Sequence, residues 1–168
     1  MAGELKSTGP AGPIILSVFG AVWAILGLNF SGLSAAMWLG PIAISVMLIL
    51  IVIWRSRGLT PPLPEEGKRI AKLVGIWSGV EGVAIFVSIN LCVSFGSPNL
   101  ILAAICLMVG LHFLPLARWL PVPLYYLSGA LLSALGIAGL LASNLVSPSL
   151  VAFGAALILW ITVVRILT

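Results

Sequence analysis

Six long apolar runs, at about 13–31, 36–54, 70–95, 98–117, 122–143 and 147–166, leave this chain little choice of fold. Each is close to the ~20 residues that a helix needs to cross ~30 Å of hydrocarbon. The runs are continuous, not alternating, which points to helices and not strands. A helix also satisfies its own backbone hydrogen bonds in lipid. Turn chemistry separates the runs: "NFSGLS", "SRGLTPPLPEEGK", "SFGSPN", "WLPVP" and "SNLVSPS". Charged residues are only 7% of the 168 positions and apolar ones 61%, too little polar surface to coat a water-soluble particle. The solvent for this chain is therefore a bilayer. The opening segment "MAGELKSTGPAGP" has little of the basic region of a signal peptide, so the first run reads as a retained span.

The basic residues give the expected orientation. Lys6 precedes the first span; Arg55, Arg57, Lys68, Arg69 and Lys72 lie between the second and third; Arg118 follows the fourth and Arg165 ends the sixth. With six spans all of them share one side, and the loops on the other side contain none. The positive-inside rule then places both termini in the cytoplasm. Trp54, Trp119, Tyr125 and Tyr126 flank the basic loops, as an interfacial aromatic belt would. The net charge of +4 is accounted for by this topology, so nucleic acid is not an expected partner.

An internal repeat is expected as well. Ser78-Gly79, Ala84, Leu91, Ser97-Pro98, Leu100 and Leu107 recur fifty positions later as Ser128-Gly129, Ala134, Leu141, Ser147-Pro148, Leu150 and Leu157. Each unit reads as a helical hairpin whose return helix opens on a proline, where the missing N–H is harmless. The fold expected is an all-α bundle of six transmembrane helices in a single domain. It is built from three hairpins at about 13–55, 70–117 and 122–166, the first a diverged copy.

Ionisable groups inside the spans are few and therefore informative. Glu81 lies in the third span and His112, the single histidine, in the fourth. At 100° per residue, Val74, Trp77, Ser78, Glu81, Ile85, Ser88 and Cys92 share one face of the third helix. Gly75, Gly79, Gly82, Phe86 and Asn90 form another, a small-residue seam of the kind that admits a close neighbour. A helix with two specialised faces is expected at the centre of the bundle. Glu81 lies about 14 Å along the helix from Lys72, and His112 about 9 Å from Arg118. Spans three and four form a tight hairpin and are therefore neighbours, which leaves these side chains either a direct meeting or one through water, and an intramembrane acid is by default a functional group. Glu81, His112, Trp77, Ser78 and Ser88 are the expected ligand or proton site. A packing lock, with Glu81 bonded to Ser78 or to a backbone carbonyl, is the competing reading. At the repeat-related positions stand Leu131 and Thr162, so the polar chemistry is expected in one hairpin alone.

Catalysis is not expected. There is no HExxH, no GxSxG beside a histidine, no Walker loop and no cysteine–histidine metal spacing. One histidine cannot supply bis-histidine haem ligation. Cys92 and Cys106 lie in apolar runs and read as small packing residues. No cofactor or metal is expected.

The strings "WSGVEG" and "VGLHFLPLAR", followed by "VPLYYLSGAL", resemble an uncharacterised family of small bacterial multi-pass membrane proteins, over residues 76–132. The resemblance implies a bacterial cytoplasmic-membrane protein in which Glu81 and the Gly-Leu-His-Phe run around His112 occur together. It brings no activity. The leading expectation is a small transporter or channel-like protein with Glu81 and His112 as proton- or cation-responsive groups. The alternative is a non-transporting structural, lipid-binding or partner-stabilising protein. Expected partners are membrane lipid, a small molecule or ion, and a second copy of the chain, because 168 residues make a narrow bundle.

Overall fold

A computed structural model describes residues 9–59, 64–120 and 122–168. Lys6 and the Thr60–Leu63 part of the basic loop lie outside the described residues. The six helices are α1 (Ala11–Phe30), α2 (Leu39–Ser56), α3 (Pro64–Ser94), α4 (Ile101–Trp119), α5 (Leu124–Leu141) and α6 (Pro148–Leu167). Short 3-10 turns, Ala35–Trp38 and Pro98–Leu100, lead into α2 and α4. No strand occurs among the described residues. All six helices, counted with their leading turns, are long and apolar enough to cross a membrane.

The helix ends follow local chemistry. α1 and α3 close on Gly32 and Gly96, whose φ values of 69° and 65° are left-handed. The N–H groups of Leu33 and Ser97 then donate back to the carbonyls of Leu28 and Cys92, which satisfies two otherwise orphaned acceptors. α6 opens with Pro148 in its first turn and with Ser147 accepting from the Leu150 N–H at 3.2 Å. α3 begins six residues before the expected span. Glu65 and Glu66 sit in its first turn, where acidic groups complement the helix dipole, and Lys68 pairs with Glu65 at 3.3 Å. Hydropathy cannot see such a polar extension, because it is helical but does not lie in lipid. At 31 residues α3 is about 46 Å long and outruns the hydrocarbon.

The tightest packing joins different hairpins, α4 with α5 and α1 with α6. Glycine makes both possible. A Cβ on Gly136 would lie 2.5 Å from the Leu107 backbone nitrogen and 2.8 Å from the Ala103 oxygen. Gly110 and Gly129 likewise meet the facing helix backbone, and Gly20 and Gly27 accept the rings of Trp160 and Phe153. Leu132, Val151, Leu159, Val163 and Ile166 fill the centre and are fully buried. The thiol of Cys106, buried in the same core, donates to the Leu132 carbonyl at 3.3 Å.

Three expectations are corrected here. α3 is peripheral, not central: none of its described residues is buried, and it rests chiefly on α4. The glycine seam inside the chain lies on α4 and α5, whereas a Cβ on Gly75, Gly79 or Gly82 would meet nothing within 4 Å. Asn90, on that same open face, bonds to the Phe86 carbonyl of its own helix at 2.7 Å. Small residues permit close approach from either side of a helix, and here the neighbour stands on the opposite side. Among the four expected belt aromatics, Trp54, Trp119 and Tyr126 are exposed. Tyr125 is instead buried, edge-to-face with Phe113 at 5.4 Å.

Candidate functional site: the Glu81–His112 pair

The inward face of α3 carries Ile70, Val74, Trp77, Glu81, Ala84, Ile85, Ser88 and Cys92, all partly buried. This is the polar stripe read from the sequence, less one member: Ser78 is exposed. Periodicity grouped these residues on one face; that this face docks follows from the placement of α4.

Glu81 and His112 meet. His112 Nε2 stands 3.6 Å from Glu81 Oε2, with side-chain exposures of only 9% for the histidine and 19% for the glutamate. The helix geometry explains how residues at different depths converge. Side chains lean toward the N-terminus of their own helix. α3 and α4 run antiparallel, so Glu81 leans toward the basic end and His112 away from it. That closes the ~5 Å difference in axial depth. The separation is that of an ion pair and is longer than a direct hydrogen bond. The Trp77 backbone lies against the imidazole, and Nδ1 is buried with no well-aligned partner among the described residues. Pro115, one turn farther along α4, removes the N–H that would otherwise engage the Leu111 carbonyl beside His112.

Such a pair can hold its proton on either partner and stay neutral overall, the state that a low-dielectric site favours. A second proton, or loss of the shared one, leaves a net charge that must be balanced by a counter-ion, by water or by movement of α3. Among the described residues, no group of three or more histidine, cysteine, aspartate or glutamate side chains could hold a metal ion.

The other expected site residues are less engaged. Trp77 sits one turn before Glu81, partly buried against the core. Ser88 donates to the Ala84 carbonyl of its own helix at 2.8 Å and makes no bridge to α4. Ser78 bonds to neither member of the pair.

Polar bridges that the sequence did not reveal occur in the other two hairpins. Ser45 Oγ donates to the Ser17 carbonyl at 2.6 Å, tying α2 to α1, and accepts from Trp160 Nε1 of α6 at 3.0 Å. Ser128 Oγ and Thr162 Oγ1 lie 2.7 Å apart between α5 and α6. Thr162 stands fifty positions after His112, so only the ionisable chemistry is restricted to one hairpin, not polar bridging as such. A hydroxyl in a helix carries little sequence signal, because it usually bonds back to its own turn. Its partner on another helix becomes visible only once the helices are placed.

No family model, no curated protein and no solved structure matches this chain.

Proposed function

We propose that this multi-pass membrane protein is a small transporter or channel-like protein of a bacterial cytoplasmic membrane, with both termini in the cytoplasm. The Glu81–His112 pair is its proton- or cation-responsive element. The observation that carries this reading is the contact itself: a carboxylate and an imidazole 3.6 Å apart inside apolar helices, on the joint between α4 and a helix that has little other support. Intramembrane ionisable residues are expensive, and a pair that only needed to pack is replaceable by apolar side chains at no loss of stability. A change in the pair's charge is felt first at the α3–α4 joint, which makes α3 the element most easily displaced.

A second reading has its own support. The clefts on the face of α2 and between α5 and α6 include neither Glu81 nor His112. On that reading the pair is a neutral lock holding α3 in place, and the protein is structural or stabilises a partner.

Proteoliposomes containing an internal pH-sensitive dye separate the two. A proton-conducting transporter or channel acidifies the lumen when an inward proton gradient is imposed with potassium and valinomycin to balance charge, and Glu81→Gln, which keeps size and hydrogen bonding but cannot titrate, abolishes the flux. Equal dye responses from wild-type and empty liposomes would favour the lock.

A further inference from the structure

The cleft between α5 and α6 has a polarity that runs along its length. It encloses about 370 Å³. Its walls are Leu127 and Leu131 from α5 and Ile158 and Ile161 from α6, and Arg165 stands at one end. Arg165 is in the last turn of α6, so the charged end of the cleft lies at the membrane boundary and the apolar part extends about 10 Å toward the bilayer interior.

The floor makes no demand on an occupant. Ser128 and Thr162 are buried, and their two hydroxyl protons are already used. Thr162 Oγ1 donates to the Ile158 carbonyl at 2.7 Å, and Ser128 then serves the 2.7 Å contact with Thr162. The mouth is different. Among the described residues Glu65 pairs with Lys68 and Glu81 with His112, and no carboxylate pairs with Arg165. Arg165 is exposed, so its guanidinium is open to an anion from outside the chain. An occupant that is apolar along the floor and anionic at the boundary satisfies both ends.

We propose that the α5–α6 cleft is a binding site for an anionic phospholipid, with one acyl chain lying over Ser128 and Thr162 and the headgroup phosphate on the Arg165 guanidinium. Zwitterionic lipids fit less well, because their ammonium group brings a second cation to an arginine that has no carboxylate partner among the described residues. Basic pockets between transmembrane helices recognise anionic headgroups in this way. The site is independent of the Glu81–His112 pair, which lies on other helices.

Native mass spectrometry of the full chain, in detergent with added dioleoylphosphatidylglycerol or dioleoylphosphatidylcholine, tests the proposal. Phosphatidylglycerol should bind about fivefold more tightly, the equivalent of about 1 kcal/mol for one basic group near the surface. Arg165→Gln should bring the two lipids to parity. Leu131→Trp or Ile161→Trp, each filling the cleft from a half-exposed wall, should reduce retention of both lipids. Arg118→Gln, a cation at the same end but outside the cleft, should change neither. Equal binding of the two lipids by the wild type would overturn the proposal. So would an Arg118→Gln effect as large as that of Arg165→Gln, which would mean diffuse attraction. Insensitivity to both tryptophan variants, or displacement of the lipid by inorganic phosphate alone, would also overturn it by showing that no chain is held.

Discussion

Replacing Gly136 by alanine should separate the two helices that form the centre of the bundle. The added Cβ would lie 2.5 Å from the Leu107 nitrogen and 2.8 Å from both Leu107 Cα and the Ala103 oxygen, whereas ordinary contacts begin near 3.4 Å. All three atoms belong to the α4 backbone, so no side chain can rotate away and α4 and α5 must part by ~1 Å. A gap of that size forfeits a quarter to a half of the dispersion well for the atoms lining it. Overpacking typically costs about 1–3 kcal/mol, and rigid backbone puts this site near the upper end. Alanine returns about 1 kcal/mol in helix propensity, leaving a net loss of about 2 kcal/mol. Gly79→Ala has the same propensity gain and no atom within 4 Å of the new Cβ, so it should be neutral or slightly stabilising. Reversible unfolding in mixed detergent micelles, followed by tryptophan fluorescence, measures both. Equal stabilities for the two variants, or a larger loss at Gly79, would refute this assignment of the close contact. The outcome for Gly79→Leu reverses what the glycine pattern of α3 suggests by itself: the bulkier side chain should be tolerated.

Ser45→Ala should lower stability by about 1–3 kcal/mol, because it leaves Trp160 Nε1 without its acceptor and removes the side-chain bond to the Ser17 carbonyl at a three-helix contact; the same unfolding assay reads it. Glu81→Ala should cost more stability than Glu81→Gln, since glutamine keeps a polar group of the same size against His112 whereas alanine leaves the imidazole facing a void. In cells, with Cys92 and Cys106 replaced by alanine, a cysteine at Ser97 should react with a membrane-impermeant maleimide added outside, and tags at both termini should be shielded. Labelling of Ser97→Cys only from the cytoplasmic face would contradict the orientation.

Hydropathy was sufficient for the six spans, because crossing hydrocarbon is a one-dimensional requirement that each segment meets alone. That Glu81 and His112 stand on neighbouring helices was legible for a related reason: a loop as short as "SFGSPN" forces α3 and α4 to be antiparallel neighbours. Their direct contact was not, because residue counts alone leave them ~5 Å apart in depth and the lean of each side chain closes that gap. The place of α3 in the bundle was not legible. The helical wheel separated its polar stripe from its glycine stripe correctly, but which stripe meets a neighbour depends on the other helices. Gly75, Gly79 and Gly82 look outward while Gly110, Gly129 and Gly136 make the contacts, and no local property of the two sets distinguishes them. Tyr125 shows the same limit. It stands where interfacial aromatics belong, and is buried because Phe113 of the adjoining helix offers its ring face or edge. The serine and threonine bridges were hidden because each hydroxyl is unremarkable until a partner from another helix is beside it.

If Glu81 and His112 act as one coupled pair, the titration of each depends on the other. Infrared difference spectroscopy of the Glu81 carboxyl stretch in lipid nanodiscs, titrated from pH 5 to 9 in the wild type and in His112→Ala, tests it most directly. A carboxyl band absent from Glu81→Gln should change with pH in the wild type and titrate over a different range once His112 is removed. A carboxyl that stays protonated throughout, or one whose titration is the same with and without the imidazole, would contradict it.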